Sequence, residues 1–307
     1  MAKNLKTYAV LTIMVLGLVF MGIGCTGTQN SEGSSPVNET SSVGTTAAET
    51  TAAEAQGIFL KGSDTVLPLA QAEAEDFMTA YPEKSVTVTG GGSGVGIAAL
   101  IDGEVDIATA SREMKAEEIE AAKAKGIDPV EHSIAIDGIS VIVNPDNTVS
   151  ELTFDQLRGI YNGSISNWKD VGGKDESIVV LSRDTSSGTY EYFKEDVLLG
   201  DEYRKDALIQ PATGGIVSEV TQNPSAIGYI GVAYLDESVK ALNLDAGNGS
   251  EAPSPENIIS GKYPLSRPLY FYTNGEPSGL TKEFLDYVMS EKGQSIVSEV
   301  GYFPMNK

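Results

Sequence analysis

From residue 58 onward, short runs rich in β-branched residues alternate with longer segments whose apolar residues recur at helical spacing, and this alternation narrows the fold more than any other feature. Strands are predicted at Ile58 to Lys61, Ser85 to Thr89, Val105 to Ala108, Ile139 to Val143, Ile178 to Leu181, Ile227 to Ile230 and Leu269 to Tyr272. Helices are predicted at Leu69 to Ala80, Ile97 to Asp102, Glu117 to Lys125, Phe154 to Tyr161, Tyr190 to Leu198, Ile216 to Gln222 and Thr281 to Val300. Such succession is the pattern of βαβ units, so the expected fold class is α/β with mostly parallel sheets flanked by helices. No internal repeat of fixed period is visible. Residues 57 to 307, about 250 in number, suffice for one large or two modest hydrophobic cores.

Four of the predicted strands run into clusters of Gly, Ser or Thr at which a helix begins: Gly62-Ser63-Asp64-Thr65, Gly90 to Gly94 with Ser93, Ala110-Ser111-Arg112, and Arg183 to Thr189 with Ser187 and Gly188. Each puts backbone N–H groups and short hydroxyls at the positive end of a helix dipole. One such loop is an ordinary N-cap. Four at the carboxyl ends of strands in an open α/β sheet can converge on one point, and a tetrahedral oxyanion suits many converging neutral donors. The glycines let the main chain approach a ligand closely. Arg183 offers a planar guanidinium matched to two oxygens at once, and Arg112 can do the same; a surface arginine paired with a nearby acid is the plainer reading of either. Asp64 is an acid in a loop expected to meet an anion. It is either an N-cap or the acceptor for a proton that the ligand still carries, which monohydrogen phosphate has and fully ionised sulfate lacks.

Charge sets a condition on this reading. The chain carries a net charge of −22, and −24 once the first 25 residues with their two lysines are removed. A nucleic acid or an anionic membrane is thereby excluded as the main partner. An anionic ligand has to be attracted locally, by donors and dipoles acting where the global field is screened within ~8 Å.

The N-terminus reads as an export segment: Lys3 and Lys6 precede an uncharged apolar stretch from Tyr8 to Ile23, shorter than the ~20 residues that normally span a bilayer. Cys25 is the sole cysteine, so no intramolecular disulfide and no thiol-based metal cluster can form. Its segment resembles a lipoprotein processing site, with Gly22 where leucine is usual, and residues 1–25 are expected to be a signal peptide ending in a lipid-bearing cysteine. Residues 26–56 are almost entirely Ser, Thr, Gly, Ala, Glu and Asn and are expected to be a disordered stalk. Asn38, Asn162 and Asn248 each open a glycosylation-acceptor pattern, which also arises often by chance.

Taken in order, Gly62-Ser63-Asp64-Thr65-Val66-Leu67-Pro68, Gly90 through Gly96, Asp106 to Arg112, Ser182-Arg183-Asp184-Thr185-Ser186-Ser187-Gly188-Thr189, Leu152 to Trp168 and Ile227 to Gly231 resemble the phosphate-binding protein family of the high-affinity phosphate ABC importer, over essentially all of residues 57–307. The resemblance implies a type II periplasmic-binding-protein fold of two lobes, residues 57–138 with 268–307 and residues 139–267, crossing near Asp137 to Ile139 and Ser266 to Leu269 and closing as a hinge. It implies capture of inorganic phosphate outside the cytoplasm and delivery to the importer's permease subunits, by a monomer anchored to the membrane through its N-terminus, with no cofactor. Thr65, the Val66 main-chain N–H, Ser93, Arg183, Ser187, Gly188 and Thr189 fall on family ligand contacts; Ser63, Asp64, Ser111 and Arg112 complete the candidate site. Arg112 stands where many relatives have an aspartate that accepts the phosphate proton, so Asp64 is the candidate replacement.

Three alternatives stay open. Sulfate, molybdate or tungstate could occupy the same fold, although two arginines make a more charged site than a neutral-donor sulfate site needs. A secreted phosphoester hydrolase could exploit an oxyanion site. Its only histidine would be His132, no Gly-x-Ser-x-Gly elbow surrounds Ser93 or Ser187, and no residues have metal-ligand spacing, so neither a catalytic residue nor a metal is expected. An adhesive surface protein is suggested by the stalk alone.

Overall fold

Residues 57–305 are described by the structure, a computed structural model. The signal segment 1–25, Cys25, the stalk 26–56 and Asn38 lie outside the described residues. The first part of the chain alternates as expected: β1 (Gly57–Gly62), α1 (Leu67–Ala80), β2 (Ser85–Thr89), α2 (Ser93–Ile101), β3 (Ile107–Ala110) and α3 (Ala116–Ala124). A long strand, β4 (Pro129–Val143), leads to β5 (Glu151–Thr153), α4 (Phe154–Asn162), β6 (Val179–Arg183), α5 (Gly188–Asp196), β7 (Leu208–Gln210), α6 (Thr213–Gln222) and β8 (Ala226–Gly231). Short strands β9 (Lys240–Ala241), β10 (Asn243–Asp245) and β11 (Ser250–Glu251) and helix α7 (Pro255–Ile259) precede the return strand β12 (Ser266–Asn274). Helices α8 (Gly279–Val288) and α9 (Glu291–Val300) and strand β13 (Phe303–Pro304) end the fold.

The main sheet runs in the order β2-β1-β3-β12-β4-β8-β6-β7. Pairing is parallel among β1, β2 and β3 and among β6, β7 and β8. It is antiparallel wherever β4 or β12 takes part, so the sheet is mixed and not mostly parallel. The reason is topological: β4 and β12 carry the chain out and back between the two parallel groups, and neighbouring strands running in opposite senses need no crossover helix.

Four apolar clusters flank the sheet, and the two largest hold most of the buried side chains. One gathers Leu60, Ile107, Leu269 and Phe271 from strands, Leu69 and Phe77 from α1, and Phe284 and Val297 from α8 and α9. The other gathers Ile139, Val141, Val180 and Tyr229 with Leu157, Tyr161, Trp168 and Phe193. Side chains of β4 change from the first core at Ala135 to the second at Ile139, and the chain comes back from Leu265 in the second to Leu269 in the first. Burial of each such side chain contributes ~1.5–3 kcal/mol.

Local chemistry sets several boundaries. Thr153 and Gln156 form a reciprocal capping box that starts α4. The expected single helix Thr281 to Val300 is two helices, because the Ser290 hydroxyl accepts the Gly293 N–H at 3.2 Å and caps a new start. Strand β3 begins two residues later than Val105, since the Asp106 carboxylate is taken by the Phe59 N–H at 2.8 Å. Strand β4 begins ten residues before Ile139; its first part is polar on one side and gave no apolar run.

Glu73 breaks the pattern of α1. It is fully buried on the core face, and neither carboxyl oxygen has a hydrogen-bond partner. Burial, helped by Asp76 and opposed by Lys292, pushes its pKa from 4.5 up to about 9. The folded state therefore holds a proton that the unfolded chain releases above pH 4.5, so stability is lost progressively as pH rises from there to about 9. The loss is at most about 1.4 kcal/mol per pH unit. Glu73→Gln removes the titration, and its thermal midpoint is expected to exceed that of the unaltered protein by a margin that widens between pH 5 and pH 8, by roughly 2–4 °C for each kcal/mol. Equal margins at the two pH values in a melting series would contradict the assignment.

Candidate functional site

Three of the Gly/Ser/Thr loops follow β1, β2 and β3 and the fourth follows β6, which runs in the opposite sense, so the fourth faces the other three and their side chains meet. Thr65 Oγ1 and Thr189 Oγ1 are 2.8 Å apart although 124 residues separate them. Ser93 Oγ accepts the Ser111 N–H at 3.1 Å and lies 3.4 Å from Ser111 Oγ. Gly188, the first residue of α5, packs against this pair: a methyl group there would overlap Ser93 and stand 2.7 Å from Ser111 Oγ. Gly92 is left-handed at φ 97°, and a side chain on it would come within 2.6 Å of the Ser186 carbonyl. The two glycines thus allow the starts of α2 and α5 to abut, and Gly94 N–H donates to the Ser186 carbonyl at 2.9 Å across that junction.

Ser63, Thr65, Val66, Ser93, Ser111, Arg112, Arg183, Ser187, Gly188 and Thr189 are all buried, and Asp64 is half-buried. The Val66 N–H is turned to the Ser63 hydroxyl at 3.3 Å. Ser187 serves as the N-cap of α5, accepting the Tyr190 N–H at 3.3 Å. The first-turn N–H groups of α2 and α5 and the helix dipoles behind them supply positive potential without a formal charge.

Arg183 engages the protein at four of its five N–H positions: Nε to the Gln210 carbonyl (3.2 Å), Nη1 to Thr213 Oγ1 (3.0 Å), and Nη2 to the Pro211 carbonyl (3.0 Å) and Asp64 Oδ2 (2.6 Å). Asp64 also accepts the Gly91 N–H at 3.0 Å and so ties the first, second and fourth loops together. Arg112 forks onto Glu118 of α3 at 2.7 and 2.8 Å, leaving its buried Nε without a partner. Burial and the Arg112 bond act in opposite senses on Glu118, and the net effect holds its carboxyl below the usual range.

Two residues of the cluster were not predicted as site residues. Arg267 on β12 donates from Nε and Nη2 to Asp137 Oδ2 on β4 (3.1 and 3.0 Å), from Nη1 to the Ser111 carbonyl (2.7 Å) and from Nη2 to Thr189 Oγ1 (2.9 Å). Arg267 is 2% exposed and Asp137 0%. Complete burial raises the Asp137 carboxyl above its ordinary range, against the pull of Arg267 and the Val232 and Gly138 amides. The signal was present in the sequence: Asp137 is a lone acid within the apolar run Ile134 to Val143, and such an acid needs a buried partner. Every arginine of the cluster is matched by an acid: Asp64, Glu118 and Asp137. A cleft of about 640 Å³ adjoins the cluster, with Arg112, Lys115, Tyr192, Arg267 and Tyr270 among its lining.

His132 lies away from these loops, bonded through Nε2 to Thr273 Oγ1 at 2.9 Å on the β4–β12 pair. Among the described residues no group of three or more His, Cys, Asp or Glu side chains could hold a metal ion.

The profile of the PBP superfamily domain matches residues 44–292. The phosphate-binding protein PstS of Bacillus subtilis strain 168 is 38% identical over 248 residues, covering 80% of each chain. The crystal structure of a putative phosphate ABC transporter substrate-binding protein with bound phosphate from Clostridium perfringens is 36% identical, with a TM-score of 0.75 over 82% of this chain and 100% of that one. An ABC-type phosphate transport receptor from Vibrio cholerae is 33% identical, with a TM-score of 0.68 over 81% and 100%. On fold and sequence together, the chain belongs to the PBP superfamily, in one family with the PstS proteins.

Proposed function

We propose that this protein captures inorganic phosphate at the meeting point of its four loops and delivers it to an ABC importer. The observation that carries this reading is the convergence of the α2 and α5 N-termini with the buried hydroxyls of Thr65, Ser93, Ser111 and Thr189. The phosphate bound in the Clostridium perfringens relative supports the same ligand here.

The hydroxyls are polarised for this task. Ser93 Oγ accepts the Ser111 N–H and Thr189 Oγ1 accepts Arg267, and each keeps its own hydrogen to donate. Backbone N–H groups of Thr65, Ser93, Gly188 and Thr189 add directed donors, and the arginines keep further N–H groups to offer, among them one on Arg183 Nη1 and the buried Nε of Arg112. Bonds of this charge-assisted kind contribute ~1.5–3 kcal/mol each. With each arginine already balanced by a carboxylate, the anion is held chiefly by dipoles, which answers how a chain of net charge −22 attracts it. Asp64 is the proposed acceptor for the proton of monohydrogen phosphate, set by Arg183 and the Gly91 N–H.

In this reading residues 57–138 with 268–307 and residues 139–267 are lobes that hinge on β4 and β12. Thr65 to Thr189, Asp64 to Arg183, Lys115 to Glu191 and Gly94 to Ser186 are bonds that closure makes. The protein is a monomeric binding protein, not an enzyme, tethered outside the cell membrane by lipid on Cys25 at the end of the 26–56 stalk.

Calorimetric titration of the ligand-stripped protein with phosphate, sulfate and molybdate is expected to give its tightest isotherm with phosphate; absence of heat with phosphate would end the proposal. Asp64→Asn is expected to narrow the margin of phosphate over sulfate by roughly tenfold, and an unchanged margin would remove Asp64 from the selectivity mechanism. A methyl group at Gly188 wedges the closed junction, so Gly188→Ala is expected to weaken phosphate binding by about 1–3 kcal/mol, roughly five- to 150-fold. Gly214→Ala, where a methyl meets nothing within 4 Å, serves as the control and should bind as the unaltered protein does.

A further inference from the structure

The Arg267 guanidinium bonds three separate parts of the fold at once. It stands opposite Asp137 in the antiparallel register of β12 and β4, where the chain passes from one core to the other. From there it bonds the carbonyl at the end of β3, through Ser111, and the first turn of α5, through Thr189. Asp137 in turn accepts the Val232 N–H at 3.1 Å, just beyond β8. The Tyr192 ring lies over the guanidinium at 5.3 Å, and its hydroxyl donates to the Ser266 carbonyl at 3.2 Å.

Building on the phosphate reading above, we infer that Arg267 is a positioning residue for oxyanion capture: anchored by Asp137, it holds Ser111 and Thr189 in register and places the Thr189 hydroxyl to donate to the ligand. The chemistry requires a fork. A guanidinium has five N–H groups in one plane, enough to meet Asp137, the Ser111 carbonyl and Thr189 Oγ1 together, whereas a lysine ammonium at the end of a flexible stem cannot span the three. Thr189 Oγ1 accepts from Nη2 and shares a 2.8 Å bond with Thr65 Oγ1 in which either oxygen can donate, so its own hydrogen is available to an anion at the same place. Ser111, held through its carbonyl, presents its N–H to Ser93 Oγ and leaves the Ser93 hydrogen to be donated. One side chain at the crossing strands thereby sets the donor direction of hydroxyls on both sides of the pocket.

The test uses the full-length protein, inorganic phosphate and variants at positions 267, 189 and 137. Arg267→Lys keeps a positive charge beside Asp137 and is expected to melt within a few degrees of the unaltered protein while binding phosphate at least about tenfold more weakly. A purely structural ion pair predicts the opposite division, with lysine restoring affinity along with the fold. Because Arg267 acts through Thr189, adding Arg267→Lys to Thr189→Val should weaken binding much less than it does alone. Full additivity of the two effects, or affinity within twofold in Arg267→Lys, would overturn the inference. Should the lysine variant fail to fold, the double variant Arg267→Met with Asp137→Leu replaces the pair with apolar groups of similar volume; weakened binding by that folded variant supports the inference, and unaltered binding overturns it. Absence of phosphate heat from the unaltered protein would instead remove the functional reading on which the inference rests.

Discussion

The buried pair of Arg267 and Asp137 is the interaction on which the rest of the structure turns. It lies on the two strands that connect the cores, and its hydrogen bonds reach the ends of β3, β8 and the start of α5. A buried ion pair is often no more stabilising than an apolar pair of the same size, because both charges give up hydration. Its presence here is better understood through geometry than through stability. The charged atoms bond backbone and hydroxyl groups from separate loops, so the position of each loop depends on the same two side chains.

Around that anchor the site follows one electrostatic rule. Arg112, Arg183 and Arg267 are each matched by a carboxylate, so formal charge in the cluster is balanced and the attraction left for an anion comes from helix starts and oriented hydroxyls. Such dipoles act over a few ångströms, which suits a strongly acidic protein: under the proposed function an anion is repelled at distance and held at contact. Glycine enters where these helix starts have to touch, at positions 92 and 188, and a single methyl group at either would keep them apart.

Much of this was legible in the residues. Seven strands and the helices between them follow from period and β-branching, and the capping residues Thr153 and Ser187 mark helix starts directly. Where the expectation of one helix from Thr281 to Val300 gave way to two, the cause was again local: the Ser290 hydroxyl caps a second start at the head of the polar stretch 290–295. The polar first half of β4 and the antiparallel pairing of β4 and β12 were not legible. Both depend on which strands become neighbours, and no local pattern records that.

By itself the sequence determined the α/β alternation, the four donor-rich loops and the residue types within them, since these follow from spacing, capping preference and the absence of a side chain on glycine. The tertiary structure alone decided how the charges were shared. Asp64 and Arg183 are 119 residues apart, Arg267 and Asp137 are 130 apart, and Arg112 found Glu118 on the next helix. Each arginine had several acids within reach of a plausible fold. The choice among them was made by burial, which leaves an unpaired charge too costly to keep and admits only the carboxylate that packing brings within hydrogen-bond distance.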